Sequence, residues 1–181
     1  AAYRAEWRPP LRTRYRDFEI CAMGGLSGGP SFVACCDALR QSAISPAMEA
    51  AETSLLYATV IRDAYEHRLT RMGHAAIADA GCTSHVSVVD ARGTMVSLTN
   101  TLLSRFGSRV ALPSTGFLLN NGMMWFDPRP GQPNGIAAGM KPLANMCPVI
   151  ALRDGRPALA IGAAGGRTIF PTVLQILSYL A

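Results

Sequence analysis

The rhythm of apolar and polar positions changes along the chain, and each rhythm predicts a different element. "RDFEICAM" at residues 16–23 reads as a short strand, ended by the glycine-rich turn "GGLSGGP" at 24–30. In "SFVACCDALRQS" the spacing turns helical. Phe32, Cys35, Cys36 and Leu39 share one face, and Pro30 suits the first turn. Residues 45–73 predict a long amphipathic helix with Ser45 as N-cap, Pro46 just inside and Gly73 as its stop. An alanine-rich connector follows over residues 74–82.

The period then falls to two. "SHVSVVD" and "TMVSLTNTL" alternate on either side of "ARG", which predicts a β-hairpin. "TGFLLNN" is a third apolar segment, and residues 121–146, rich in Pro and Gly, read as a long loop of the kind that carries function. "CPVIALRDGRPALAIGAAGG" predicts a second hairpin turning at Asp154-Gly155, and "RTIFPTVLQILSYLA" a closing helix. Helices, then sheet, then helix make an α+β layered domain.

Composition narrows this picture. With 181 residues, 49% hydrophobic and 16% charged, the chain has the profile of one globular domain, and its apolar runs are too short to span a bilayer. The net charge of +5 is concentrated early. Arg4, Arg8, Arg12, Arg14 and Arg16 interleave with Tyr3, Trp7 and Tyr15. This stretch reads as an exposed arm packing on the rest of the protein; no nucleic-acid motif accompanies it. Cys21, Cys35, Cys36, Cys82 and Cys147 form neither a CxxC pair nor a metal spacing, so buried free thiols and a reducing compartment, the cytoplasm before the periplasm, are expected. The absence of an initiating Met and the apolar end at Ala181 suggest a piece of a longer protein.

Few residues stand out for chemistry. The glycine-rich turn lacks the Lys and Ser/Thr of a P-loop and reads as structural. His67 is expected in solvent, His74 has no partner in sequence, and His85 reads as a hydrogen-bonded strand residue. Asp90, Asp127 and Asp154 fall at turns, so no carboxylate pair for acid–base work is evident, and no metal ligands cluster. Thr83 alone has a conditional chemistry. A threonine becomes a nucleophile when its own free α-amine, with a pKa of roughly 7.7–8.0, takes the hydroxyl proton. That requires cleavage between Cys82 and Thr83.

"TSHVSVVDARGTMVSLTNTL", "FGS", "TGFLLNN", "KPLANMCP" and "GAAGGR" come in the order and spacing of the small subunit of the gamma-glutamyltransferase (glutathione hydrolase) family, and "WRPPLRTRYRDFEICAMGGLSGGPSF" resembles the end of its large subunit. The resemblance implies an N-terminal-nucleophile hydrolase fold, a four-layer αββα sandwich, here partial. Residues 1–82 would close the large subunit and 83–181 open the small one, both from one precursor cut before Thr83. It implies that Thr101 hydrogen-bonds the nucleophile and that Gly165-Gly166 form the oxyanion hole.

The departures concern substrate. Typical members carry Asn where this chain has Leu103. They grip the substrate's α-amino group with an acid or amide and then an aspartate, at positions that here are Gly122 and Trp125. A serine pair that contacts the α-carboxylate is replaced by Ala144-Asn145. The stretch from Gly29 to Cys82 is shorter than in the family, and the large-subunit arginine that binds the carboxylate would lie outside this chain. The expected reaction is hydrolysis or acyl transfer of a γ-glutamyl amide to water or an amine, with no cofactor, metal, nucleic acid or membrane partner. The alternatives are an acylase of other acyl amides, like the cephalosporin acylases, and a non-catalytic scaffold or inactive fragment.

Overall fold

The computed structural model describes residues 5–42, 44, 45, 47–72 and 82–180. Tyr3, Arg4, Pro46, Gly73, His74 and the connector up to residue 81, all named above, lie outside them. Two antiparallel units form its centre. Strands β1 (Leu11–Tyr15), β2 (Phe18–Ala22), β5 (Val149–Arg153) and β6 (Arg156–Ile161) make a four-stranded sheet in the order β1-β2-β5-β6. Among the described residues, strands β3 (Cys82–Val89) and β4 (Met95–Leu103) pair only with each other.

Strand β1 corrects the reading of the basic stretch as an arm. Leu11, Thr13 and Tyr15 alternate with exposed Arg12 and Arg14, a two-residue period that the charges disguise. Such charges suit an edge strand, where they discourage pairing with another chain. Tyr15 is buried, and its hydroxyl meets those of Tyr57 and Ser178 at 3.2 and 3.1 Å.

The sheet buries Phe18, Ile20, Ala22, Val149 and Ala151 against helices α1 (Gly29–Gln41), α2 (Ala50–His67) and α3 (Ile169–Leu180). Helix α1 contributes the expected face, Phe32, Cys35, Cys36 and Leu39, with Pro30 in its first turn. From α3 come Ile169, Phe170, Val173, Leu174 and Leu177. Burial pushes the Cys35 and Cys147 thiols up to about 12, which keeps them protonated and inert; Cys36 moves the same way, and Cys21 is also free.

Helix α2 begins four residues later than Ser45 as N-cap would set it, with Glu49 in the cap position. Ser45 instead closes a preceding turn, accepting the N–H groups of Ala47 on Oγ (3.2 Å) and Met48 on its carbonyl (3.1 Å). At its far end α2 widens into a π-helical turn, Arg68–Met72.

The hairpin β3–β4 covers the other sheet face through polar contacts. Ser87 Oγ donates to the Ala160 carbonyl and Ser97 Oγ to that of Ile161, each at 3.0 Å. Its apolar residues point away: Val86, Val88, Val96 and Leu98 are all at least half exposed. Helices, sheet and hairpin are thus three of the layers of an αββα sandwich, and the outward apolar side of the hairpin is where the fourth belongs. "TGFLLNN" adds no strand; Leu118 makes one isolated bridge to Ala111, and Phe117 is exposed.

Candidate active site

Thr83 and Thr101 sit opposite each other on β3 and β4. The Thr83 hydroxyl donates to that of Thr101 at 3.3 Å, and Thr101 Oγ also accepts the Leu103 N–H at 2.9 Å. The two strands lose register at this point, between Cys82 and Thr83: Cys82 pairs with Leu103 while Thr83 pairs with Thr101, leaving Leu102 as an extra residue. Leu103 is buried with φ of +72°, a left-handed conformation that a leucine adopts only under strain. A bulge re-aims the side chains around it. Here bulge and strain coincide at the Cys82–Thr83 bond.

Beyond the bulge, the chain is knotted back. Asn121 donates its N–H to the Leu102 carbonyl at 3.1 Å and accepts the Ser104 N–H on Oδ1 at 3.0 Å. This fixes the start of the short 3₁₀ turn Gly122–Trp125 beside the end of β4. The Trp125 carbonyl in turn accepts Asn134 Nδ2 at 2.5 Å.

His85 lies on the same face of β3 as Thr83. Nδ1 shares a proton with Thr99 Oγ1 at 2.8 Å and Nε2 with Ser87 Oγ at 3.1 Å, which bears out a hydrogen-bonded structural histidine. Its ring lies so close to Gly162 that a Cβ there would come within 2.2 Å of Cε1. Burial lowers the pKa of the imidazole. Below its ordinary value near 6.5 the unfolded chain therefore takes up a proton the folded one resists, and stability falls as pH drops. Thermal melts between about pH 5 and 8 are expected to show that decline, and His85→Gln to flatten it.

Gly165 and Gly166 follow β6 with φ of +132° and +57°, conformations open to glycine. They lead into a short turn, Gly166–Thr168, and then α3. Thr168 donates both its N–H (3.1 Å) and its hydroxyl (3.0 Å) to the Gly165 carbonyl. The N–H groups of the glycine pair meet no acceptor among the described residues.

Ala144 and Asn145 lie against the glycine-rich turn. The Ala144 N–H donates to the Leu26 carbonyl at 2.6 Å, and Gly28 N–H to the Met146 carbonyl at 2.9 Å. Between them sits Arg68, wholly buried, which the sequence places beside exposed His67 on the helix surface. Its guanidinium donates to the carbonyls of Ser27 (2.6 Å) and Ala144 and to Asn145 Oδ1 (3.2 Å). Burial pulls its pKa down to about 10, so it stays charged at neutral pH, and Nε meets no hydrogen-bond partner among the described residues. Sequence spacing hid it; the one available signal was an Arg on the helix at the period of Val60 and Ala64.

The gamma-glutamyltranspeptidase family model matches residues 57–181. Over 214 aligned residues the chain is 34% identical to the Acylase ACY 1 proenzyme of Pseudomonas sp. (strain SE83), covering 98% of this chain and 38% of that protein. It is also 39% identical over 99 residues to the glutathione hydrolase proenzyme of Bacillus subtilis (strain 168), covering 55% of this chain and 17% of that protein. The chain thus spans about two fifths or less of these relatives. The acylase alignment is longer than the 181 residues of this chain, so the acylase carries stretches this chain lacks.

Among solved structures, the cephalosporin acylase from Bacillus halodurans shares the fold at a TM-score of 0.82 and 17% identity, over 97% of this chain and 38% of that one. The gamma-glutamyltranspeptidase from Pseudomonas nitroreducens, at 38% identity and a TM-score of 0.50, covers 54% of this chain and 55% of that one. The layers described above are thus part of an N-terminal-nucleophile hydrolase sandwich. With a family model over most of its length and a relative aligned along nearly all of it, the chain belongs to the gamma-glutamyltranspeptidase family.

Proposed function

We propose that the protein is an autoprocessed threonine-nucleophile amidohydrolase or acyltransferase. The carrying observation is the Thr83–Thr101 hydroxyl pair at the bulged, strained junction that follows Cys82. In the uncut chain Thr83 Oγ attacks the Cys82 carbonyl carbon. The C–N bond breaks, an ester forms on Thr83, and water hydrolyses it to leave a Cys82 carboxylate and a free Thr83 amine. Residues 1–82 then belong to the large subunit and 83–181 to the small one.

In turnover that amine accepts the Thr83 hydroxyl proton as Oγ adds to the substrate's amide carbon, and returns it to the leaving amine. Thr101 holds the hydroxyl in line. The N–H groups of Gly165 and Gly166 receive the developing oxyanion; one such donor can be worth roughly 3 to 4 kcal/mol. Water or an amine then takes the acyl group from Thr83.

The family's substrates make γ-glutamyl amides such as glutathione the first candidates. A second reading, an acylase of other acyl amides, is favoured by Gly122 and Trp125 standing where a grip on the α-amino group is expected. The near full-length alignment with a protein named an acylase supports it too. Cleavage of γ-glutamyl and plain acyl anilides by the processed protein separates the two. Turnover of the γ-glutamyl anilide alone rejects the second reading, and turnover of neither favours a scaffold.

Trp125→Asp tests the pocket directly. A carboxylate there can accept a charge-assisted hydrogen bond from a substrate ammonium, worth about 1.5–3 kcal/mol. The expected result is a rise on the order of tenfold in kcat/KM for the γ-glutamyl anilide relative to the plain acyl one.

A further inference from the structure

Asn134 lies in the long loop between β4 and β5, yet it is only 3% exposed. Both ends of its carboxamide are engaged. Nδ2 donates to the Trp125 carbonyl at 2.5 Å, and Oδ1 accepts the Leu143 N–H at 2.9 Å. Its own carbonyl accepts the Asp127 N–H at 2.9 Å. Asp127, 2% exposed, is held by Arg129 through Oδ1 (3.0 Å) and Oδ2 (2.7 Å). Asn134 is thus part of a buried polar knot inside a loop, where burying an unsatisfied amide would be unfavourable.

The two groups it joins belong to different segments of the chain. Trp125 ends the turn fixed to β4 through Asn121. Leu143 opens the segment held from the other side by Leu26 and Arg68. Only a side chain that donates at one end and accepts at the other, at this length, can bridge a carbonyl and an N–H; Asn does so, whereas Asp cannot donate when ionised and Leu can do neither.

We propose that Asn134 is a positioning residue for the acyl pocket: it sets the separation of the Gly122–Trp125 turn from Leu143–Asn145, and through it the fit of the acyl group. This rests on the acyl-transfer function proposed above.

The test uses the full-length protein, with Asn134→Asp, Trp125→Asp and the double variant. Asn134→Asp keeps the acceptor for Leu143 but sets a carboxylate oxygen against the Trp125 carbonyl. It is expected to leave Thr83 as the new N-terminus after processing. KM for the acyl anilides should rise on the order of tenfold while kcat changes less. The ratio of γ-glutamyl to plain acyl turnover should shift, and the gain from Trp125→Asp should vanish in the double variant, a non-additivity of roughly tenfold. Should the aspartate variant fail to process, Asn134→Ser, which adds no charge, is expected to give the same pattern. Variants that process normally and keep KM, substrate ratio and additivity overturn the proposal. So does an equal fall in kcat for every substrate at unchanged KM. Failure of the underlying function reads differently: the native protein then turns over no acyl anilide, and this role falls with it.

Discussion

Thr83→Ala is expected to leave the full-length protein as one uncut chain, where the native protein yields two with Thr83 at the start of the second. Intact mass and N-terminal sequencing read this directly. Alanine removes the oxygen that attacks the Cys82 carbonyl and leaves the fold alone, because among the described residues the half-buried Thr83 side chain makes one hydrogen bond, to Thr101. Turnover of any acyl anilide should fall on the order of a thousandfold or more, since nucleophile and base are lost together. Thr83→Ser keeps an attacking oxygen and should process, more slowly, because serine lacks the methyl that restrains the rotamer. With the freed Thr83 amine as base, kcat/KM should rise with pH through the reference range of an α-amine, roughly 7.7–8.0, and then level off. A Thr83→Ala variant that still separates into two chains after Cys82, or a native protein that never does, would sink the nucleophile assignment.

The hairpins were legible in the sequence because their signals are local. A two-residue period around "ARG" and "RDG" fixes register, so Thr83 and Thr101 could be placed on partner strands from the pattern alone. Helices α1 and α3 were legible from their apolar faces. What stayed hidden depends on partners distant in the chain. Strand β1 is disguised by Arg12 and Arg14, whose charges are tolerated because they stand on the exposed face of the strand. The bulge at Cys82–Thr83 and the left-handed Leu103 follow from tertiary closure around Asn121, not from propensity. Arg68 reads as a surface cation because its acceptors, the carbonyls of Ser27 and Ala144, are backbone groups that no pattern of side chains announces. Asn134 is hidden for the same reason.

The glycine-rich turn of residues 24–30 was legible as structural, and its packing distinguishes which of its glycines matters. Gly29→Ala is expected to be the most disruptive glycine-to-alanine change among the described residues. A Cβ at Gly29 would lie 1.8 Å from the Met23 carbonyl oxygen, a backbone atom that cannot step aside as a side-chain end can. That carbonyl is already fixed, accepting Ser27 Oγ at 2.8 Å, while Ser27 Oγ accepts the Gly29 N–H at 3.1 Å. Relieving the overlap means moving the first turn of α1 or opening this knot. Ser27 is also where Arg68 holds the turn, and the adjoining Gly28 packs against Asn145, with a Cβ there 2.6 Å from its carbonyl oxygen. Strain at Gly29 therefore reaches the Leu143–Asn145 segment. Overpacking of this severity costs about 3 kcal/mol or more, of a total that is typically about 5–15 kcal/mol. For a domain of this size that lowers the melting temperature by roughly 6–12 °C. Gly24→Ala is the internal control. Its Cβ would meet only Leu11 side-chain carbons, the nearest at 3.5 Å, so it should melt within about 2 °C of the native protein, on the stable side if the lost chain entropy of the unfolded state dominates. If the two alanines shift the melt equally, close backbone approach is not what the turn requires. If only Gly29→Ala does, and the plain acyl anilide's KM rises with it, the turn supports the proposed acyl site.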